Sequence, residues 1–183
     1  MNFIKTALDG VVIIEPTVIG DSRGYFFEAY NKKTFAEAGI VCDFVQDNQS
    51  SSVKNTLRGL HCQLGEHAQA KLVRALSGRV LDVAVDFRKD SPTCGQYVAV
   101  ELSAENKRQL FIPRGFLHGF AVLSDSAELS YKCDNFWNKS AESGVRFDDK
   151  DLAIDWQIDL SLAVLSDKDK LLGSFNDAIN YGR

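Results

Sequence analysis

The chain has 183 residues, 45% of them hydrophobic and 25% charged, which is the composition of one globular domain with a substantial core and excludes a disordered or collagen-like protein. Its 21 basic and 25 acidic side chains leave a net charge of -4, so no overall field gathers nucleic acid or anionic lipid, and any phosphate must be held by local Arg and Lys. No apolar run approaches the roughly 20 residues that span a bilayer, and the opening MNFIKTALDGVV lacks the apolar core of a signal peptide, which predicts a cytoplasmic protein that acts on a small molecule away from membranes.

Short β-prone runs dominate, separated by turn residues at the spacing of an all-β fold. In chain order they are 11–14 and 24–30, then one capped helical turn at 34–39 ending on Gly39, then 56–63, 79–87, 96–102, 109–112, 116–123 and 127–133. The run 79–87 alternates most clearly, with Leu81, Val83, Val85 and Phe87 on one face and Val80, Asp82, Ala84 and Asp86 on the other. That pattern predicts a half-buried strand with two facing carboxylates. Ser166 opens a C-terminal helix with Asp167 and Asp169 in its first turn and Leu171, Leu172 and Phe175 along one side. Only Pro16, Pro92 and Pro113 punctuate the chain, and no linker or repeat divides it, so residues 1–183 form a single domain. Many strands with few helices imply an all-β sandwich or jelly-roll barrel, which holds a ligand among inward-facing side chains.

The cysteines, Cys42, Cys62, Cys94 and Cys133, form no C-x-x-C pair and no dense framework, and read as reduced and mostly buried. Cys42 and Cys133 could ligate zinc only within a cluster, which the spacing does not supply.

Polar groups gather inside the strands: Gln46, Asp47 and Asn48, then Arg58, His61, Gln63, Lys71, Arg74, His118 and Tyr131. In a barrel interior each must find a partner or a ligand. Alternation puts His61 and Gln63 on one face and His118 with Phe116 and Phe120. Arg58 has the wrong parity for His61, and a bulge at Gly59 would rotate it onto the same side. By spacing alone, His61 and His118 are equally readable as satisfied core residues, His67 as a loop histidine, Tyr131 and Lys132 as a strand pair, and Asp169 as a helix-capping carboxylate. Metal-binding small barrels place two histidines two residues apart, followed by a carboxylate and a later histidine. Around His61 there is no second histidine, and Lys71 would repel a cation, so no metal is expected.

Nine segments in order carry a resemblance over nearly the whole chain. They are Asp21-Ser-Arg-Gly-Tyr-Phe-Phe-Glu28, Phe44-Val-Gln-Asp-Asn-Gln-Ser-Ser-Ser52, Leu57-Arg-Gly-Leu-His-Cys-Gln63, Gln69-Ala-Lys-Leu-Val73 and Gly78-Arg-Val-Leu-Asp-Val-Ala-Val-Asp-Phe-Arg88. Ser91-Pro-Thr-Cys-Gly95, Ile112-Pro-Arg-Gly-Phe-Leu-His-Gly-Phe120, Tyr131-Lys132 and Leu165-Ser-Asp-Lys-Asp169 complete them. The sequence resembles the dTDP-4-dehydrorhamnose 3,5-epimerases, cupin-fold enzymes that invert two carbons of a nucleotide-linked 4-keto-6-deoxy sugar. It departs from them at Cys62, where an aromatic residue is usual, at Leu117, where alanine is usual, and at Asn135-Phe136-Trp137, where a tyrosine-rich pair is common.

The resemblance implies a cupin-like jelly roll with a few short helices, no cofactor, and a homodimer that exchanges its N-terminal strand. It assigns His61 as the base, Asp169 as the carboxylate that orients it, Tyr131 as the acid on the opposite face, and Lys71 as the stabiliser of the enolate. An imidazole, with an ordinary pKa of about 6.5, suits a base at neutrality, and a phenol near 10 stays protonated to donate. Arg23, Arg58 and Lys168 match positions that hold the diphosphate. Glu28, Gln46, Asp47 and Asn48 match positions that read the base and sugar hydroxyls, and Phe26, His118 and Glu142 complete the implied substrate contacts. Related 3- or 5-mono-epimerases, 3,4-ketoisomerases and a silent sugar-nucleotide binding module share much of this outline. His61, Lys71, Tyr131 and the Ser166-Asp-Lys-Asp169 ending together favour the double epimerase.

Overall fold

Thirteen short strands form the framework of the computed structural model, which describes residues 1–181. The first five are β1 (Asn2–Lys5), β2 (Val12–Glu15), β3 (Ile19–Asp21), β4 (Gly24–Phe26) and β5 (Gln46–Val53). Then come β6 (Leu57–Gln63), β7 (Lys71–Ser77), β8 (Arg79–Asp86) and β9 (Tyr97–Ser103). The last are β10 (Gln109–Ile112), β11 (Phe116–Val122), β12 (Ser126–Cys133) and β13 (Glu142–Gly144). A six-stranded sheet runs β1-β2-β10-β7-β12-β5, a five-stranded sheet runs β13-β6-β11-β8-β9, and β3 and β4 form a separate hairpin. Every pairing between named strands is antiparallel. This is the cupin-like jelly roll that the resemblance implies. No described helix is long and apolar enough to cross a membrane.

The inner faces of the two sheets meet over Val73, Val80, Ala84, Val100, Leu110 and Leu129. The strand expected to be half-buried is buried on both faces: in β8 everything after Arg79 is inside. Its Leu81, Val83 and Val85 pack with Leu117 of β11 under Trp156 and Phe175, because the C-terminal segment folds back over the outer face of the five-stranded sheet. A satellite cluster around Ile14, Phe35, Leu72 and Phe111 covers the outer face of the other sheet.

The helices differ in detail from expectation. The first, α1 (Lys32–Glu37), starts two residues earlier than Thr34, because the Asn31 side chain accepts hydrogen bonds from the Lys33 and Thr34 amides at 3.0 and 3.3 Å. Beyond it Gly39 takes φ +86°, the left-handed conformation that ends helices. No continuous helix follows Ser166. One 3-10 turn spans Asp169–Leu171, the chain extends through Gly173, and α2 (Phe175–Tyr181) starts afresh with Ser174 accepting from the Asp177 amide at 3.1 Å. Glycine is a poor helix former, and Ser174 offers a better cap than continuation.

Periodicity does not reveal strand β5. Its sequence, QDNQSSSV, is almost wholly polar, yet it pairs with β12 along all of its length as the edge of the six-stranded sheet. All four cysteines are free; Cys62 and Cys133 are buried, and Cys42 and Cys94 are partly exposed.

Candidate active site

A cleft of about 1030 Å³ opens between the two sheets on the β5–β6 side, at the upper end of the range for small-molecule sites. His61 on β6 lies directly opposite His118 on β11, and the register then slips so that Arg58 faces Phe120. The extra residue is absorbed at Gly59, whose φ is +121° and where a Cβ would lie 2.5 Å from the Gly119 Cα and 2.8 Å from the His118 carbonyl. Only glycine fits there. The bulge brings Arg58 onto the cleft wall with His61, and the Arg58 guanidinium donates to the Ser51 carbonyl at 3.2 Å.

Asp169 reaches the same point from the 3-10 turn after the chain has crossed over the cleft, held there by Thr56 and Val164, which bridge in parallel. His61 Nε2 is 2.6 Å from Asp169 Oδ1. The carboxylate is 2% exposed and the imidazole 25%. Burial pulls the Asp169 carboxyl upward, but the bond and charge of His61, the Gly59 amide and Ser166 outweigh it and hold the group below the ordinary carboxylate range. A neutral His61 therefore places its proton on Nε2, toward Asp169, and leaves Nδ1 bare as the basic nitrogen.

The opposite wall belongs to the six-stranded sheet. Tyr131 on β12 lies beside Asn48 of β5 and Val73 of β7, and one pleat along, Cys133 lies beside Gln46 and Lys71. Tyr131 and Lys71 both line the cleft. Burial raises the Tyr131 phenol, with the buried Cys133 adding and Arg58 opposing, so it stays protonated at neutrality. Burial lowers the Lys71 ammonium, opposed by Cys133, Cys62, Asp82 and Glu142.

His118 is buried, with Nε2 2.8 Å from Asp82 Oδ1. The strand pattern marks Asp82 only as one of two facing carboxylates; as the partner of His118 it belongs to the inner end of the site. At the mouth, Lys168 is ion-paired with Glu142 of β13. Phe136 and Trp137 are exposed there, and the Trp137 amide donates to Gln46 Oε1 at 3.1 Å.

Four expected substrate contacts do not line this chain's own cleft. Asp47 projects from the other face of β5, where Lys132 Nζ holds its carboxylate at 2.7 Å, because alternation turns it away from Gln46 and Asn48. Arg23 and Phe26 sit on the β3–β4 hairpin, 88% and 69% exposed, with Arg23 bonded to Asp21. Glu28 follows the hairpin and accepts from Asn31 at 3.1 Å. Among the described residues, no three His, Cys, Asp or Glu side chains form a group able to hold a metal ion.

A jelly roll whose cleft sets His61 of one sheet, paired with Asp169 of the 3-10 turn, across from Tyr131 and Lys71 of the other has the make-up of a cupin-type isomerase. A family profile described as dTDP-4-dehydrorhamnose 3,5-epimerase matches residues 5–177. The dTDP-4-dehydrorhamnose 3,5-epimerase of Shigella flexneri is 56% identical over 179 residues, 97% of this chain and 98% of that protein. The crystal structure of the enzyme of that name from Elizabethkingia anophelis is 56% identical, with a TM-score of 0.93 and 97% of each chain covered. A 3,5-epimerase from Legionella pneumophila, solved in complex with dTDP-4-keto-L-rhamnose, is 48% identical, with a TM-score of 0.92 and coverage of 96% of this chain and 93% of the other. The chain belongs to the dTDP-4-dehydrorhamnose 3,5-epimerase family.

Proposed function

We propose that the chain converts dTDP-4-dehydro-6-deoxy-D-glucose to dTDP-4-dehydro-L-rhamnose in the cytoplasm by inverting C3 and C5, with no cofactor. The observation that carries this reading is the 2.6 Å contact between His61 Nε2 and Asp169 Oδ1 in a cleft whose opposite wall presents Tyr131 and Lys71. Carbons 3 and 5 both flank the C4 ketone, so each C–H is acidified by the same carbonyl. His61 Nδ1 takes the proton, and Asp169 stabilises the resulting imidazolium. The electron pair moves onto O4 as an enolate, where the Lys71 ammonium meets charge that is greater in the transition state than in the ketone. Tyr131 then protonates the carbon from the other sheet, on the opposite face, and regains a proton from solvent as His61 releases its own there.

Arg58 holds the diphosphate from within the chain, joined by Lys168 once it leaves Glu142. Gln46, Asn48 and His118 meet sugar and base, and Phe136 with Trp137 offers the base a stacking surface. Arg23, Phe26 and Glu28, remote from their own cleft, serve the cleft of a partner in a homodimer. Because Lys71 supplies the positive charge for the enolate, exhaustive chelation is expected to leave turnover intact; loss of activity restored by one added metal would overturn that.

Incubation with the 4-keto substrate in deuterated water, followed by NMR, tests the whole reading. Deuterium at both C3 and C5 is expected. A single labelled carbon would make the enzyme a mono-epimerase, and none would reject the substrate or the reaction class.

A further inference from the structure

Asp82 has no part in the proton transfers, yet its setting is unusual. It lies on β8 between Phe120 of β11 and Val100 of β9, shares the inward face of Val80 and Ala84, and is fully buried. Its Oδ1 accepts from His118 Nε2, while Oδ2 is buried with no hydrogen-bond partner among the described residues. An orphaned carboxylate oxygen inside an apolar barrel is disfavoured unless a nearby positive charge compensates it. Two cations line the cleft without an ion pair among the described residues, and of these Arg58 is exposed while Lys71, on the sheet opposite Asp82, is half-buried.

We propose that Asp82 is a positioning residue whose charge keeps Lys71 an ammonium inside the barrel, acting through space past His118.

Elimination supports this assignment. Four acidic groups from four strands bear on Lys71: Cys133 on β12, Cys62 on β6, Glu142 on β13 and Asp82 on β8. Both thiols are pushed up to about 11, mainly by burial, so they are neutral near pH 7. Without substrate, the state in which Lys71 is titrated below, Glu142 holds the Lys168 ammonium. Asp82 is left as the only one of the four with a buried, uncommitted oxygen. It forms no ion pair with Lys71, but in a poorly solvated interior charges several ångströms apart still couple.

The same arrangement fixes His118. Burial, Lys71 and His61 all oppose a second proton on this ring, and only Asp82 favours one. With Nε2–H committed to Asp82, a neutral His118 presents a bare Nδ1, which accepts a hydrogen bond from a sugar hydroxyl rather than donating one to the ketone. Lys71 is then the donor for O4, and its charge state matters directly.

The inference rests on the proposed role of Lys71 as enolate stabiliser, so its test reads Lys71 both with and without the reaction. In the full-length protein without substrate, trace acetic anhydride applied across a pH series labels the neutral amine, and mass spectrometry of the Lys71 peptide gives its titration midpoint. Asp82→Asn is expected to lower that midpoint by about one pH unit or more, whereas Asp82→Glu, which keeps the charge, holds it close to the wild-type value. The alkaline limb of kcat/KM should move down by the same interval in Asp82→Asn, so that activity falls more at pH 9 than at pH 7. If Asp82→Asn does not fold, Asp82→Ser carries the same comparison. An unchanged Lys71 midpoint, or an equal loss at every pH, would reduce Asp82 to a structural role. A lowered midpoint in a protein that deuterates no ring carbon would keep the coupling and reject the reaction instead. Full deuteration with an unmoved midpoint would reject only Asp82.

Discussion

Asp169 is 2% exposed and still held as a carboxylate, because His61, the Gly59 amide and Ser166 all favour its charged form. The consequence for chemistry is a fixed tautomer, and this makes the roles of single atoms testable. His61→Asn removes the base and is expected to slow solvent exchange by about 10²- to 10⁴-fold. Asp169→Asn keeps the shape, but its amide can donate to Nε2 and force the proton onto Nδ1, so a loss of similar order is expected; near-normal exchange in either variant would remove the dyad from the mechanism. Tyr131→Phe keeps the ring and deletes the donor. It should still wash substrate hydrogen into deuterated solvent while forming little inverted product, and undiminished inversion would assign the acid elsewhere. A second carboxylate works for stability alone. Burial pulls Asp86 up, but Arg88, Ser91 and Thr93 together hold it far below the ordinary range. Its contribution is therefore complete above an unfolded-state pKa of about 4 and is lost as pH falls below that. Asp86→Asn should cost about 3 kcal/mol at pH 7 and progressively less below pH 4, as read from urea unfolding at a series of pH values.

Elements explain why some of this was legible in the sequence and some was not. The runs that became β8, β10, β11 and β12 announce themselves because apolar residues alternate or run continuously there. β5 does not, since its Gln, Asn and Ser residues have no liking for strands; pairing with β12 on one side and a cleft that needs polar groups hold it extended. Parity alone foresaw the Gly59 bulge, because Arg58 and His61 could share a wall in no other way. Nothing local joins His61 to Asp169, 108 residues away. Spacing read Asp169 as a helix cap, and only the family resemblance paired the two. The orphaned Asp82 oxygen was equally hidden, since satisfaction is a property of packed neighbours and not of a strand pattern. The bulge is also the element most open to challenge. Gly59→Ala adds a Cβ 2.5 Å from Gly119 at a φ of +121°, and should destabilise by on the order of 3 kcal/mol or more. Whatever protein folds should lose turnover out of proportion, because the Gly59 amide also bonds Asp169. A stable, fully active Gly59→Ala enzyme would show that the bulge does not set the dyad.

At the scale of the whole molecule, the cleft is short of positive charge for the ligand it is proposed to hold. A nucleoside diphosphate brings several negative oxygens, whereas the chain's own mouth offers Arg58 and a Lys168 already bound to Glu142. Arg23 stands 88% exposed on a hairpin that also presents Ile19, Tyr25 and Phe26 to solvent, an apolar and cationic surface suited to a second copy of the chain. If the hairpin of one subunit completes the cleft of the other, two inactive variants must rescue each other. Arg23→Ala carries a defective hairpin and an intact dyad; His61→Ala carries the reverse. Unfolded together in equal amounts and refolded, half of the dimers are mixed, and each mixed dimer has one site with both parts intact, so about a quarter of wild-type activity should appear where neither variant alone has any. The recovered activity should elute with the dimer on size-exclusion chromatography. A hairpin that served its own chain would give no recovery, because every His61→Ala site would lack its base and every Arg23→Ala site its arginine, whatever the partner.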